Sequence, residues 1–169
     1  MDALLDSRGG RWHATDWAAA AVSGFAAGAV LMVLDLLWSA IFHPDGPWRT
    51  SHMIAPIFIG ADSVHSAPYH FSVAVVSIAL ATHYALGIVF GLVLGAVMSQ
   101  FRLDATPNRA ALSGAVLGSL LYLVNFGLLV RFFPWLSDLR GWDTHAAHVV
   151  FGIVAAVLYW RLKRTPSEP

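Results

Sequence analysis

Ser23-Gly24-x3-Gly28-x6-Asp35-x6-Phe42-x-Pro44 runs through the first apolar stretch of the chain. Ser113-Gly114-x3-Gly118-x6-Asn125-x6-Phe132-x-Pro134 repeats it without a gap. Each copy is followed by a second apolar stretch carrying one short phrase, His83-x-x-Leu86-Gly87 after the first and His148-x-x-Phe151-Gly152 after the second. Ser and Gly match easily by chance in apolar helices. The Asp/Asn, Phe and Pro matches at fixed offsets do not, and they point to a tandem duplication of a helical hairpin. Asp35, His83, Asn125 and His148 then occupy equivalent places.

Composition sets the class. Of 169 residues, 57% are hydrophobic and 12% charged, with mean hydropathy +0.64. A soluble domain carries roughly 25% charged residues, so about half the usual charge is missing. Apolar runs of about 20 residues read as membrane spans, and four occur, at about 17–42, 71–99, 108–132 and 144–161. The expected fold is an all-α membrane protein, a four-transmembrane-helix bundle built from two parallel-repeat hairpins. A formal net charge of zero gives no reason to invoke nucleic acid. Without Cys there are no disulfides, thiolate metal sites or covalently attached c-type haem.

The polar residues 1–16 and the length of the following run argue against a cleavable signal, whose apolar core is only ~7–15 residues. Basic residues set the orientation. Arg8, Arg11, Arg102, Arg109, Arg161, Lys163 and Arg164 flank one side, and Arg49, Arg131 and Arg140 the other. This predicts a multi-pass inner-membrane protein with both termini cytoplasmic. Residues 1–16 form the N-terminal segment, 17–100 the first hairpin with its outer loop at 43–70, and 101–107 a cytoplasmic linker. Residues 108–162 form the second hairpin and 163–169 the tail. Trp17 and Trp160 fall at the inner interface, and Trp48, Trp135 and Trp142 at the outer one, as an aromatic belt. The two hairpins would be related by a pseudo-twofold axis along the membrane normal.

Small residues have a packing role here. Lipid gives no hydrophobic drive between helices, so close backbone approach supplies the contact. Gly24 and Gly28, Gly87, Gly91 and Gly95, and Gly114 and Gly118 are spaced as GxxxG, and Gly152 answers Gly87. They serve either to hold the bundle together or to join copies of the chain through an outward stripe.

At ~1.5 Å rise per residue, Asp35, His83, Asn125 and His148 all fall roughly 20–27 Å above the inner boundary. That is the outer half of a ~30 Å core. An ionised carboxylate at a helix centre costs ~2.5–3.5 kcal/mol, so Asp35 should face the bundle. One reading is a pair of clasps, Asp35–His83 and Asn125–His148, each worth about 0.6–1.7 kcal/mol. Another is a transition-metal site of His83, His148 and Asp35 with His145 one turn outside, since imidazole and carboxylate suit Zn, Cu or Fe. A third is haem b, with His83 and His148 axial and Gly87 and Gly152 clearing room for the ring. A proton or cation relay through Asp35 is the fourth.

The hairpins diverge in their outer loops, residues 45–70 against the shorter 135–143. The longer loop carries His52, Asp62, His65 and His70, with His43 at its edge, either a metal- or pH-responsive group or solvated side chains. Within it, Met53–Gly60 is apolar but too short to span, so it should lie at the interface or re-enter shallowly under protein cover.

The phrases His83-Tyr84-Ala85-Leu86-Gly87-Ile88-Val89-Phe90-Gly91, Tyr122-Leu123-Val124-Asn125-Phe126-Gly127, Phe133-Pro134-Trp135 and Ala147-His148-Val149-Val150-Phe151-Gly152 resemble a family of small four-span bacterial inner-membrane proteins. The resemblance covers about residues 17–162. It implies the fold and a bacterial inner membrane, and no established activity or ligand. Some members are labelled sodium:proline symporters, but transporters of that kind use more spans and broken helices at mid-membrane.

Three function classes follow. The first is an accessory or assembly subunit of a larger membrane complex, with lipid, other subunits or a second copy as partners. The second is a metal- or haem-binding redox protein using the polar layer. The third is an oligomeric proton or cation channel or transporter. No Ser–His–Asp arrangement, phosphate loop or spaced carboxylate pair points to a conventional enzyme.

Overall fold

Asp16 starts the first helix by accepting the backbone N–H of Ala19 at 3.1 Å, which satisfies one of the donors a helix leaves bare at its N-terminus. The helix, α1 (Trp17–Phe42), runs until His43 turns extended ahead of Pro44. Ser72 caps α4 (Val73–Gln100) and Thr106 caps α5 (Pro107–Leu128), where Pro107 takes a first-turn position that needs no N–H. A 3-10 turn, Leu129–Arg131, extends α5, and α6 (Trp142–Leu162) completes the set. Between α1 and α4 lie two short helices, α2 (Arg49–Ile54) and α3 (Pro56–Ile59).

The computed structural model describes residues 14–64 and 68–164. Arg8, Arg11 and His65 lie outside the described residues. Among the described residues there is no strand, and α1, α4, α5 with its 3-10 extension, and α6 are each long and apolar enough to cross a membrane. The protein is a multi-pass all-α membrane bundle. Many large apolar side chains on these helices face outward, among them Val33, Leu37, Val93, Leu112 and Leu123. Lipid suits such a surface and water does not.

Helices α1 and α4 form one closely packed hairpin, α5 and α6 the other, and the two meet chiefly through α1 and α6. The α4–α5 seam is much looser. A strict twofold relation would make these two seams equal, and they are not. Ala20 of α1 stands against Gly91 and Gly95 of α4, and Ala156 of α6 against Gly114 of α5; both, like Ala27, are fully buried. A small void of about 50 Å³ lies among all four long helices, lined by Leu31, Phe90, Leu121 and Phe151 with His83 and His148.

The glycines settle at the helix crossings. A Cβ on Gly24 would stand 2.8 Å from the Gly91 Cα, and one on Gly114 2.7 Å from the Gly152 carbonyl carbon. The eight glycines of the predicted stripes are all buried, and each faces another helix of the same chain. The predicted GxxxG pairs are therefore engaged inside the bundle.

The end where α4 turns into α5 is the more densely filled. Ala19, Ala20, Leu94, Met98, Ala110, Ala155, Ala156 and Tyr159 form its core, and the Tyr159 hydroxyl meets Ser99 Oγ at 2.6 Å. The α4 terminus closes with Arg102 in the left-handed region, φ 53°. The Leu103 N–H bonds back to the Met98 carbonyl at 2.9 Å, the arrangement that usually places glycine at the left-handed position. Two charged latches tie this linker end. Asp16 accepts from Arg164 Nε at 3.0 Å and from the Arg164 backbone N–H at 3.1 Å, while Lys163 bonds the Asp104 carboxylate and its carbonyl. The Arg164 guanidinium, with help from the Ala19 N–H, holds the Asp16 carboxyl well below the usual carboxylate range.

Candidate functional site

At the opposite, loop end the helices spread around a partly enclosed cavity of about 370 Å³. Asp35, His83, Asn125 and His148 all line it, so the four polar residues expected at one level share one space. Its walls are otherwise mainly aliphatic, with Leu31, Leu86 and Leu129 among them. The volume sits near the low end of the ~300–1,000 Å³ usual for small-molecule sites.

The pairing within the layer follows one predicted clasp and departs from the other. Asn125 Nδ2 and His148 Nε2 stand 3.1 Å apart. His148 Nδ1 lies 2.7 Å from the Thr144 carbonyl, so Nδ1 carries the proton and Nε2 accepts from the amide. Asp35 and His83 form no such bond. His83 Nε2 donates instead to the Gly28 carbonyl at 3.1 Å, which glycine leaves reachable because no side chain covers it. Asp35 Oδ1 accepts from Thr50 Oγ1 of α2 at 3.1 Å. The longer loop of the first hairpin thus supplies the Asp35 partner, and the second hairpin has no counterpart to it.

The loop elements form a roof over the cavity. Thr50, Ile54 and Ile57 of α2 and α3 reach its lining, as do Leu136 and Leu139 of the 3-10 turn Pro134–Leu139. Trp135 Nε1 donates to the Met53 carbonyl at 3.0 Å, and the Arg49 guanidinium to the Asp138 carbonyl at 2.5 Å. Arg140 reaches the Phe126 carbonyl near the end of α5. Within the apolar 53–60 segment Met53, Ala55 and Pro56 are buried under protein, while Phe58, Ile59 and Gly60 are exposed. Thr50 had no motif to mark it, and Trp135 and Arg140 were read only as interface residues, not as ties within this roof. The only hint was that the shorter of the two loops still carried a Trp and an Arg.

The histidines outside the layer disperse. Exposed His145 contacts Ser119 Oγ at 3.2 Å and stacks near Tyr122, ring centroids 4.9 Å apart. His43 Nε2 lies 3.5 Å from Asp143 Oδ2. His52 is buried and donates through Nε2 to the His70 carbonyl at 2.9 Å. His70 and Asp62 are exposed. Among the described residues, no three His, Asp or Glu side chains stand close enough together to hold a metal ion. Both ring nitrogens of His148 are already engaged, so axial haem ligation would break one of its bonds. His83, His145, His148 and Asp35 are not gathered into a three-ligand group among the described residues.

The chain matches no protein-family model, no curated protein and no solved structure.

Proposed function

We propose that this is a four-span bacterial inner-membrane protein that binds a small amphipathic molecule in the cavity between its two hairpins. The observation that carries the reading is the convergence of Asp35, His83, Asn125 and His148 on one aliphatic-walled space. Polar groups buried in a membrane are costly and commonly mark a functional site, and an apolar pocket with a few convergent polar groups is the usual form of a ligand site. Exposed Leu34 of α1 and Trp142 and Ala146 of α6 among its lining residues give it access from the lipid, and α2, α3 and residues 134–139 roof its loop end. The excess of basic residues at the linker end supports cytoplasmic termini. The matched crossings of Gly24 on Gly87 and Gly114 on Gly152 support an origin by duplication. The resemblance of the His83–Gly91, Tyr122–Gly127 and Ala147–Gly152 phrases to those of small four-span bacterial proteins is the ground for that kinship.

Trp38 and Trp142 also line the cavity, which makes binding readable. A brominated single-chain amphiphile entering it should quench their fluorescence saturably, on top of the linear quenching from bulk lipid. Ala147→Phe, which fills the cavity from α6, should remove the saturable part. Failure to find it with cationic, neutral and anionic chains alike would overturn the reading.

A second reading, an accessory subunit of a larger membrane complex, draws on the loose α4–α5 seam. A photo-crosslinker at Val93 or Leu120, exposed on those helices, should then trap one discrete membrane protein. Adducts with lipid alone would rule it out.

A further inference from the structure

Within the cavity, the acidic and aromatic groups gather toward the loop end. Asp35, Asp143, Trp38 and Trp142 all reach its lining, and no Lys or Arg does. The two indoles meet edge to face with ring centroids 5.3 Å apart. Asp143 has His43 as a partner at 3.5 Å. Asp35 has only the neutral Thr50 hydroxyl at 3.1 Å, and among the described residues it makes no ion pair. The charged groups close enough to act on it are His43, Asp143 and Arg49. Arg49 is turned away, to the Asp45 carboxylate at 3.9 Å and the Asp138 carbonyl at 2.5 Å.

We propose that this end of the cavity binds the head of a lipophilic organic cation, a protonated amine or a quaternary ammonium, while the aliphatic walls hold its apolar body. The proposal rests on the cavity reading above and adds the class of ligand. A carboxylate without a cationic partner, set in a low-dielectric space, favours a positive ligand. Tryptophan faces attract such cations within about 6 Å of the ring centroid, most strongly when the cation is desolvated. An anionic head would instead meet two carboxylates and no Lys or Arg. A small hydrated metal ion would lack the ligands it needs and would make no use of the aliphatic walls.

The test compares two probes of one shape, 4-phenylbutyl-trimethylammonium and its uncharged tert-butyl isostere, titrated against the full chain in a nonionic detergent or nanodiscs. Binding is read by the fluorescence of the tryptophans. The wild type should take the cation at least about tenfold more tightly than the isostere. In Asp35→Asn the preference should vanish while isostere binding stays, and the retained isostere binding shows that the variant is folded. Trp38→Leu should weaken the cation alone. Equal binding of the two probes by the wild type, or a preference that survives Asp35→Asn, would overturn the cation assignment and leave the cavity reading standing. Absence of binding by both probes would overturn the assignment together with that reading.

Discussion

Gly152→Ala is a sharp test of how these helices are held. A Cβ at Gly152 would meet the Gly114 carbonyl oxygen, with the Gly114 carbonyl carbon and the Gly118 nitrogen each at 2.9 Å. These are backbone atoms, so no side-chain rotation relieves the overlap. Ordinary carbon contacts lie at ~3.5–4.0 Å, so α5 and α6 must part by roughly 1 Å, a gap that forfeits about a quarter to a half of each dispersion contact across the seam. Overpacking of this kind costs about 1–3 kcal/mol, and the backbone setting puts it in the upper half. Replacing glycine by alanine in a helix returns up to about 1 kcal/mol, leaving a net loss of about 1–2 kcal/mol. Gly127→Ala is the control, because a Cβ there meets nothing within 4 Å. The two variants should differ by about 2–3 kcal/mol, or roughly 5–10 °C in Tm for a chain of this size. Thermal unfolding in mild detergent, followed by circular dichroism, measures it. If Gly152→Ala melts with or above Gly127→Ala, the close crossing does not hold the second hairpin.

The Asp16–Arg164 latch carries a pH signature. Because the folded carboxyl titrates below its ordinary value of 3.8, its contribution is complete above that value and is lost as pH falls through the folded one. Asp16→Asn should therefore be less stable than wild type near neutral pH and should converge with it well below 3.8; a constant gap would exclude the latch. For the Asn125–His148 bond, a double-mutant cycle with Asn125→Leu and His148→Leu should return a coupling of about 0.6–1.7 kcal/mol. A coupling of zero would mean that the amide and the imidazole stand together without holding each other.

How far the site was legible depends on the range of the interaction. The four spans could be read because twenty consecutive apolar residues have few alternatives in a bilayer, and the helices begin and end within a few residues of the expected bounds. The common depth of Asp35, His83, Asn125 and His148 followed from counting along helices of known rise, and all four line one cavity. Their partners were another matter. Symmetry paired Asp35 with His83, but a glycine carbonyl lay within reach of the imidazole and a loop threonine within reach of the carboxylate. Matching one hairpin to the other predicts only what both contain, and α2 lies in the first alone.

Hydropathy, glycine spacing and the paired phrases, all properties of neighbours along a helix, determined the class and the four apolar helices. Which seam closed, which opened, and what roofed the opening were decided by tertiary structure. Ala20 against Gly95 and Ala156 against Gly114 close the two hairpins, α1 packs on α6 while the α4–α5 seam stays loose, and Trp135 and Arg49 bond the loops to each other. Such contacts join residues many positions apart, and their energies depend on shapes that meet only when the chain has folded.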